Sequence, residues 1–134
     1  MTIDDCNSLL YQALSTASLG ISGDIYFDNE RPVESTKEDI AINTPSLTGG
    51  NGHPQQGYSN INIYVPVKKI KTADGYRTVR NRVRERELVN KVSEVIEEMR
   101  VEGVNYIDSE NKEQSVDGRE TFCNVRVFWK LYDL

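Results

Sequence analysis

His53 is the sole imidazole of the 134-residue chain. An imidazole is the most versatile acid, base and metal ligand near neutral pH. It sits in the stretch GGNGHPQQG with no cysteine or carboxylate at ligand spacing. Those residue types build neither a zinc site nor a nucleophile–base pair. The preceding glycines do not make a phosphate loop, because no lysine follows and no helix starts there to aim backbone N–H groups at an anion. Glu38 and Asp39 are neighbouring carboxylates at the start of an alternating stretch. Adjacent strand residues point to opposite faces, so the two do not converge on a cation. Cys6 and Cys123, the only cysteines, each lie in an apolar-periodic segment and read as reduced core residues. The sequence therefore predicts no catalytic residue, no metal site and no cofactor.

Charge is the second chemistry-bearing signal. From Met1 to Val65 there are eight acids and two bases; from Pro66 to Arg86 there are eight bases and two acids. The net charge of −5 argues against general nucleic-acid binding. A chain with an acidic half and a basic band can instead meet copies of itself head to tail. Candidate contact residues are Asp24 and Asp28 on the acidic side and Arg80, Arg82 and Arg84 on the basic side. The alternative use of the band at residues 68–86 is nucleic-acid binding.

These residues need elements to place them. Thr2 can cap a helix with Asp5 three positions on, and Ile3, Cys6, Leu10, Ala13, Leu14 and Ala17 then recur at helical spacing, with Gly20 as a stop. A short strand follows with Ile25 and Phe27 on one face and Asp24, Tyr26 and Asp28 on the other, its pairing ended by Pro32. Ile40 and Ile42 mark a second strand. A third carries Ile61, Ile63 and Val65 inward and Tyr58, Asn60, Asn62 and Tyr64 outward. Between the second and third strands, Pro45–Gly57 contains four glycines and one apolar side chain, Leu47. It reads as a long flexible loop, far longer than a hairpin needs, whose His53, Gln55 and Gln56 can order on a partner.

A basic connection with an Asp74-Gly75 turn leads to a second helix, expected from about Thr78 to Glu102 with Gly103 as its end. Its expected apolar stripe is Val79, Val83, Leu88, Val89, Val92, Val95, Ile96 and Met99. Its arginines load the front, against the helix dipole. Either the helix proper starts near Glu85 or the arginines face an acidic partner. A short strand VNYID, a polar turn region at 109–120 and a long final strand complete the chain. In that last strand Cys123, Val125, Val127, Trp129 and Leu131 share one face, and Phe122, Asn124, Arg126, Phe128, Lys130 and Tyr132 the other. The expected class is α+β: one domain over 1–134, a mostly antiparallel sheet with two main helices packed on one face, order α-β-β-β-α-β-β. No apolar run approaches the ~20 residues that span a bilayer. The start of the chain lacks a signal-peptide pattern, which predicts a cytosolic address.

The stretch SGDIYFDNERPVESTKEDIAINT, a Gly-containing loop and GYSNINIYVP resemble the tail-completion, or tail-terminator, proteins of long-tailed bacteriophages and prophages. A short acidic N-terminal helix precedes these segments and a long helix follows, in the family's order. The resemblance spans most of the chain and implies a non-enzymatic structural protein. It implies a homo-oligomeric ring, typically a hexamer, that caps the tail tube, stops its polymerisation and joins tail to head. The implied partners are the tail-tube protein, the head-connector protein and passing DNA bound without sequence specificity, with no membrane. The implied location is the virion tail, assembled in the host cytoplasm. Another head–tail connector or a minor tail protein is the alternative within the same class.

Overall fold

Thr2 caps the first helix, α1 (Ile3–Thr16). Its Oγ1 accepts from the Asp5 backbone N–H at 3.1 Å, and the Asp5 carboxylate accepts from the Thr2 N–H at 2.8 Å. This reciprocal pair satisfies two of the backbone donors that a helix start leaves open. The helix ends before the expected Gly20, with Ala17 as its C-cap. In this computed structural model, residues 1–50, 52–99, 104–107, 111–116 and 118–131 are described, with 104–107 and 111–116 given by backbone pairing alone.

The other elements are β1 (Ile25–Phe27), β2 (Asp39–Gly50), β3 (His53–Pro66), β4 (Lys68–Thr72), β5 (Gly75–Val79), α2 (Arg82–Glu98), β6 (Val104–Ile107), β7 (Asn111–Val116) and β8 (Glu120–Leu131). The main sheet runs β1-β2-β3-β8-β6, and β7 shares with β6 the free side of β8. All its pairs are antiparallel except β1 with β2. The class is therefore the expected α+β. Three strands go beyond the expected order: β4 and β5 form a separate two-stranded ribbon, and β7 occupies part of the region read as a polar turn.

Alternation on β3 and β8 sets the register. Ile61 faces Val125 and Ile63 faces Cys123 across the ladder. With Ile40 and Ile42 they form one apolar face, against which Cys6, Leu10 and Leu14 of α1 and Leu88, Val92 and Ile96 of α2 pack. Both helices thus cover the same side of the sheet. Cys6 and Cys123 are buried free thiols in this core, and burial pushes the Cys6 thiol up to about 11.

Residues Pro45–Gly57 are not a loop. They form the outer part of a long β2–β3 hairpin that turns between Gly50 and His53. The alternation that would have revealed the strands is broken twice. Thr44 and Pro45 stand opposite Ser59 alone, and a second shift falls between Thr48 and Gly50. Bulges of this kind tolerate proline, here on the side of β2 that β1 no longer pairs beyond Ile42. Gly57 is dictated by the first bulge, since a Cβ there would sit 1.9 Å from the Ser46 carbonyl oxygen. Gly57→Ala is expected to destabilise the fold by about 1–3 kcal/mol through overpacking. Denaturant unfolding checks this, and an unchanged midpoint would contradict the bulge geometry.

The second helix is shorter at its start than expected. Asn81 caps it by accepting from the Arg84 N–H at 3.3 Å, so Thr78 and Val79 belong to β5. Its buried stripe is Glu85, Leu88, Val89, Val92 and Ile96, while Val83, expected inside, is 76% exposed. It also ends earlier than the expected Glu102 and Gly103: Glu98 is its last residue, and Met99, its C-cap, already has an extended backbone at ψ 131°. The outward Tyr132 falls outside the described residues.

Candidate functional site

Three polar constellations stand out: a buried ionic latch, a pair of in-chain arginine clamps, and an exposed basic ribbon. The latch arises from the parallel β1–β2 pair. Joining parallel neighbours needs a long crossover, and the segment 28–38 supplies it over the sheet face away from the helices. There Arg31 donates from Nε to Asp39 at 3.0 Å and from Nη1 and Nη2 to Glu120 at 3.0 and 2.7 Å. Its guanidinium lies 3.9 Å over the Tyr64 ring. Ser35 Oγ also donates to Asp39, and Asp39 Oδ1 accepts the Asp24 N–H at 2.9 Å. Gly23 makes room for that approach, since a Cβ there would sit 1.8 Å from Asp39 Oδ1. Burial draws Arg31 towards losing its proton; Glu120 and Asp39 outweigh it and hold the guanidinium charged. Every carboxylate here is taken up by a cation or by backbone donors. The arrangement fastens the crossover and holds no group poised for proton transfer.

Asp24 and Asp28 flank β1, and both are exposed. Arg80 and Arg84 are not open to a neighbour in the way the charge pattern alone implies. Arg80 donates to the buried Glu85 carboxylate at 2.7 Å, so the acid on the core stripe of α2 is neutralised from just outside the helix. Arg84 donates to Glu38 at 2.7 and 2.8 Å, to Glu87 at 2.9 Å and to the Gly20 carbonyl at 2.7 Å, tying α2 to the start of β2. Arg82 is exposed.

The hydrogen bonds from Arg84 hold the Glu38 carboxyl below its ordinary value of 4.5, against the upward pull of burial. A carboxyl depressed in the folded state contributes stability that is complete above its unfolded pKa and is lost as pH falls through the folded value. Glu38→Gln is thus expected to destabilise the chain at pH 7, with the deficit shrinking below about pH 4. Thermal melts of both proteins across that range check the sign. A deficit that persists unchanged in acid would show that the pair's charge is not what Glu38 contributes.

The three hairpin residues do not act together. His53 is exposed at the turn. Gln55 accepts from the Met1 ammonium at 2.7 Å and donates to the Met1 carbonyl at 3.0 Å, pinning the chain start to the hairpin. Gln56 points to the opposite face and is exposed, and its backbone carbonyl accepts from Thr48 Oγ1 at 3.2 Å.

What charge pattern alone did not resolve is the ribbon. Lys68, Lys69, Lys71 and Arg77 are exposed on β4 and β5 and make no ion pair among the described residues. Tyr76 beside them is 76% exposed. The Asp74-Gly75 turn was the signal for a hairpin here; the lysines masked the alternation around it.

No group of three or more His, Cys, Asp or Glu side chains is placed to hold a metal among the described residues, and no helix among them is long and apolar enough to cross a membrane. No protein-family model matches the chain, and no curated protein matches it either.

Proposed function

We propose that the chain is a structural tail-completion protein of a long-tailed phage or prophage. It forms a ring at the head-proximal end of the tail tube, ends tube polymerisation and joins tail to head. The family resemblance supplies this class. The observation that carries it in three dimensions is the separation of free charge. Once the latch and the two clamps have used their residues, the exposed cations left before α2 are Lys37 on the crossover and four grouped on one ribbon, and Asp4, Asp24 and Asp28 remain exposed on and around α1 and β1. Complementary patches on one subunit favour heterologous contacts, which close into rings when the rotation closes. In this reading the subunit works by position and needs no catalysis, metal or cofactor. Its partners are its own copies, the tail-tube protein and the head-connector protein, with DNA passing through the ring. Its place is the virion tail.

Mass measurement over a concentration series, with and without tail-tube protein, tests the proposal. The expected result is a shift from monomer to a closed oligomer, favoured by tube ends. A chain that stays monomeric and never caps tubes would overturn it.

A second reading is favoured by one observation, the exposed ribbon itself. A two-stranded basic ribbon fits the major groove of DNA, and an exposed tyrosine can stack on bases. It requires the isolated chain to bind DNA with strong salt dependence.

A further inference from the structure

The ribbon and the groove beside α1 are each incomplete alone. A two-stranded hairpin is marginal in water without a surface to pack on. Here β4 and β5 have five residues each and pack chiefly on one another. Their register places Lys71 opposite Tyr76 and Lys69 opposite Thr78. These four side chains share one face and all are exposed, while Ile70 and Val79, on the other face, are half-buried. The outward face is an aromatic ring flanked by two ammonium groups.

The counterpart is a groove of about 620 Å³ between α1 and the end of β1, with Met1, Leu9, Tyr11 and Phe27 as its apolar wall and Asp5 and Gln12 on its rim. The Tyr11 and Phe27 rings stack at 5.0 Å, and Met1, Ile3 and Tyr11 are 40%, 42% and 37% exposed. Tyr11 is also a wall of a second hollow of about 230 Å³ that carries Asp24. The two form a trough with an aromatic centre and a carboxylate towards each end. Asp28, exposed and next to Phe27 in the chain, is a further carboxylate at the end of β1.

We propose that the ribbon of one copy docks in this trough on the next copy, Tyr76 packing on the Tyr11–Phe27 pair and Lys69 and Lys71 meeting Asp5, Asp24 and Asp28. The proposal rests on the ring reading above and names the contact that builds the ring. It commits to a second copy because the shapes of charge match. The ribbon carries cations around one aromatic, and the trough carries anions around an aromatic floor. Nucleic acid complements only the first of these. Tyrosines seated in a pocket are among the residues that dominate binding at interfaces, with polar and charged groups at the rim around them. The contact is heterologous, since the patch that gives differs from the patch that receives, so one defective face stops growth without blocking the other.

That asymmetry gives the test. Tyr76→Ala with Lys71→Glu disables the ribbon, and Ser8→Lys with Gln12→Lys disables the trough at exposed helix positions that leave the core untouched. Circular dichroism and melting of each variant verify folding. Wild type, each variant and their equimolar mixture are then weighed by mass photometry and sedimentation. The expected result is association of the wild type, weakening of each variant alone by about tenfold or more, and heterodimers that grow no further in the mixture. Wild type that assembles together with variants that assemble equally well overturns the ribbon–trough contact and leaves the ring reading standing. Wild type that never associates overturns both. Salt-sensitive binding of the wild type to a DNA duplex, lost in the ribbon variant while self-association persists, assigns the ribbon to nucleic acid and overturns the contact.

Discussion

Replacing Arg31 by methionine is expected to destabilise the folded chain by about 3–5 kcal/mol. The guanidinium is 10% exposed, and its carboxylate partners Asp39 and Glu120 are 0% and 2% exposed. Removing it leaves two buried anions without their shared cation, and the penalty is the uncompensated charge more than the lost bonds. Lysine will not repair the site. One ammonium cannot fork to Glu120, reach Asp39 and lie flat on Tyr64 at once. Glu120→Gln should soften the effect, because it removes one of the stranded charges. A double-mutant cycle by urea denaturation therefore gives a smaller cost for Arg31→Met in the Glu120→Gln background than in the wild type. A cost under about 1 kcal/mol for Arg31→Met, the value of an exposed pair, would mean that water reaches the latch and that the crossover 28–38 is held by something else.

The latch also shows which features of the fold are legible in the sequence. An arginine followed by proline after a short strand looks like a strand end, and Pro32 does lie beyond Phe27. That the arginine reaches residue 120 is a long-range fact with no local signature. Local signals did carry the α1 cap, where Thr2 and Asp5 stand at fixed spacing, and the faces of β3 and β8, where alternation is unbroken over many residues. They failed where two rules collided. In 45–57 the glycines and prolines spoke for a loop, while the strands continued through bulges that shift alternation by a residue. On α2 a buried acid took a core position, so the apolar pattern at the helix start passed to exposed Val83; Arg80, just after the preceding strand, supplies the cation that makes Glu85 tolerable there. The charge asymmetry was readable, but which arginines it leaves free was not. Glu38 and Glu85 claim Arg84 and Arg80, while Arg82 stays exposed on α2 and Lys68, Lys69, Lys71 and Arg77 are exposed on a ribbon whose lysines hide its period.

Trp129→Ala is expected to cost about 3–5 kcal/mol, the range for emptying a large aromatic site. Trp129 is 2% exposed on the face that its spacing with Val125, Val127 and Leu131 predicts. Its role exceeds volume. The indole Nε1 donates to Ser59 Oγ at 2.7 Å, Ser59 Oγ lies 2.6 Å from Thr44 Oγ1, and Thr44 Oγ1 donates to Asn7 Oδ1 at 2.6 Å. This buried chain of donors links β8, β3, β2 and α1 in one line, and it passes through Thr44 and Ser59 where the first bulge resets the β2–β3 register. Each hydroxyl has its proton directed by the next acceptor, so losing the first donor leaves Ser59 with an unused acceptor in the core. Trp129→Phe separates the two contributions. It keeps most of the ring and loses the donor, and should cost clearly less than the alanine variant yet more than about 1 kcal/mol, the net worth of a typical buried hydrogen bond, because a smaller void is added to the unpaired hydroxyl. Unfolding curves for both variants, with native fluorescence of the wild type blue-shifted relative to its unfolded form, check the placement. A wild-type emission maximum typical of water-exposed indole, or a phenylalanine variant as stable as the parent, would contradict the register of β8 and the chain of donors that depends on it.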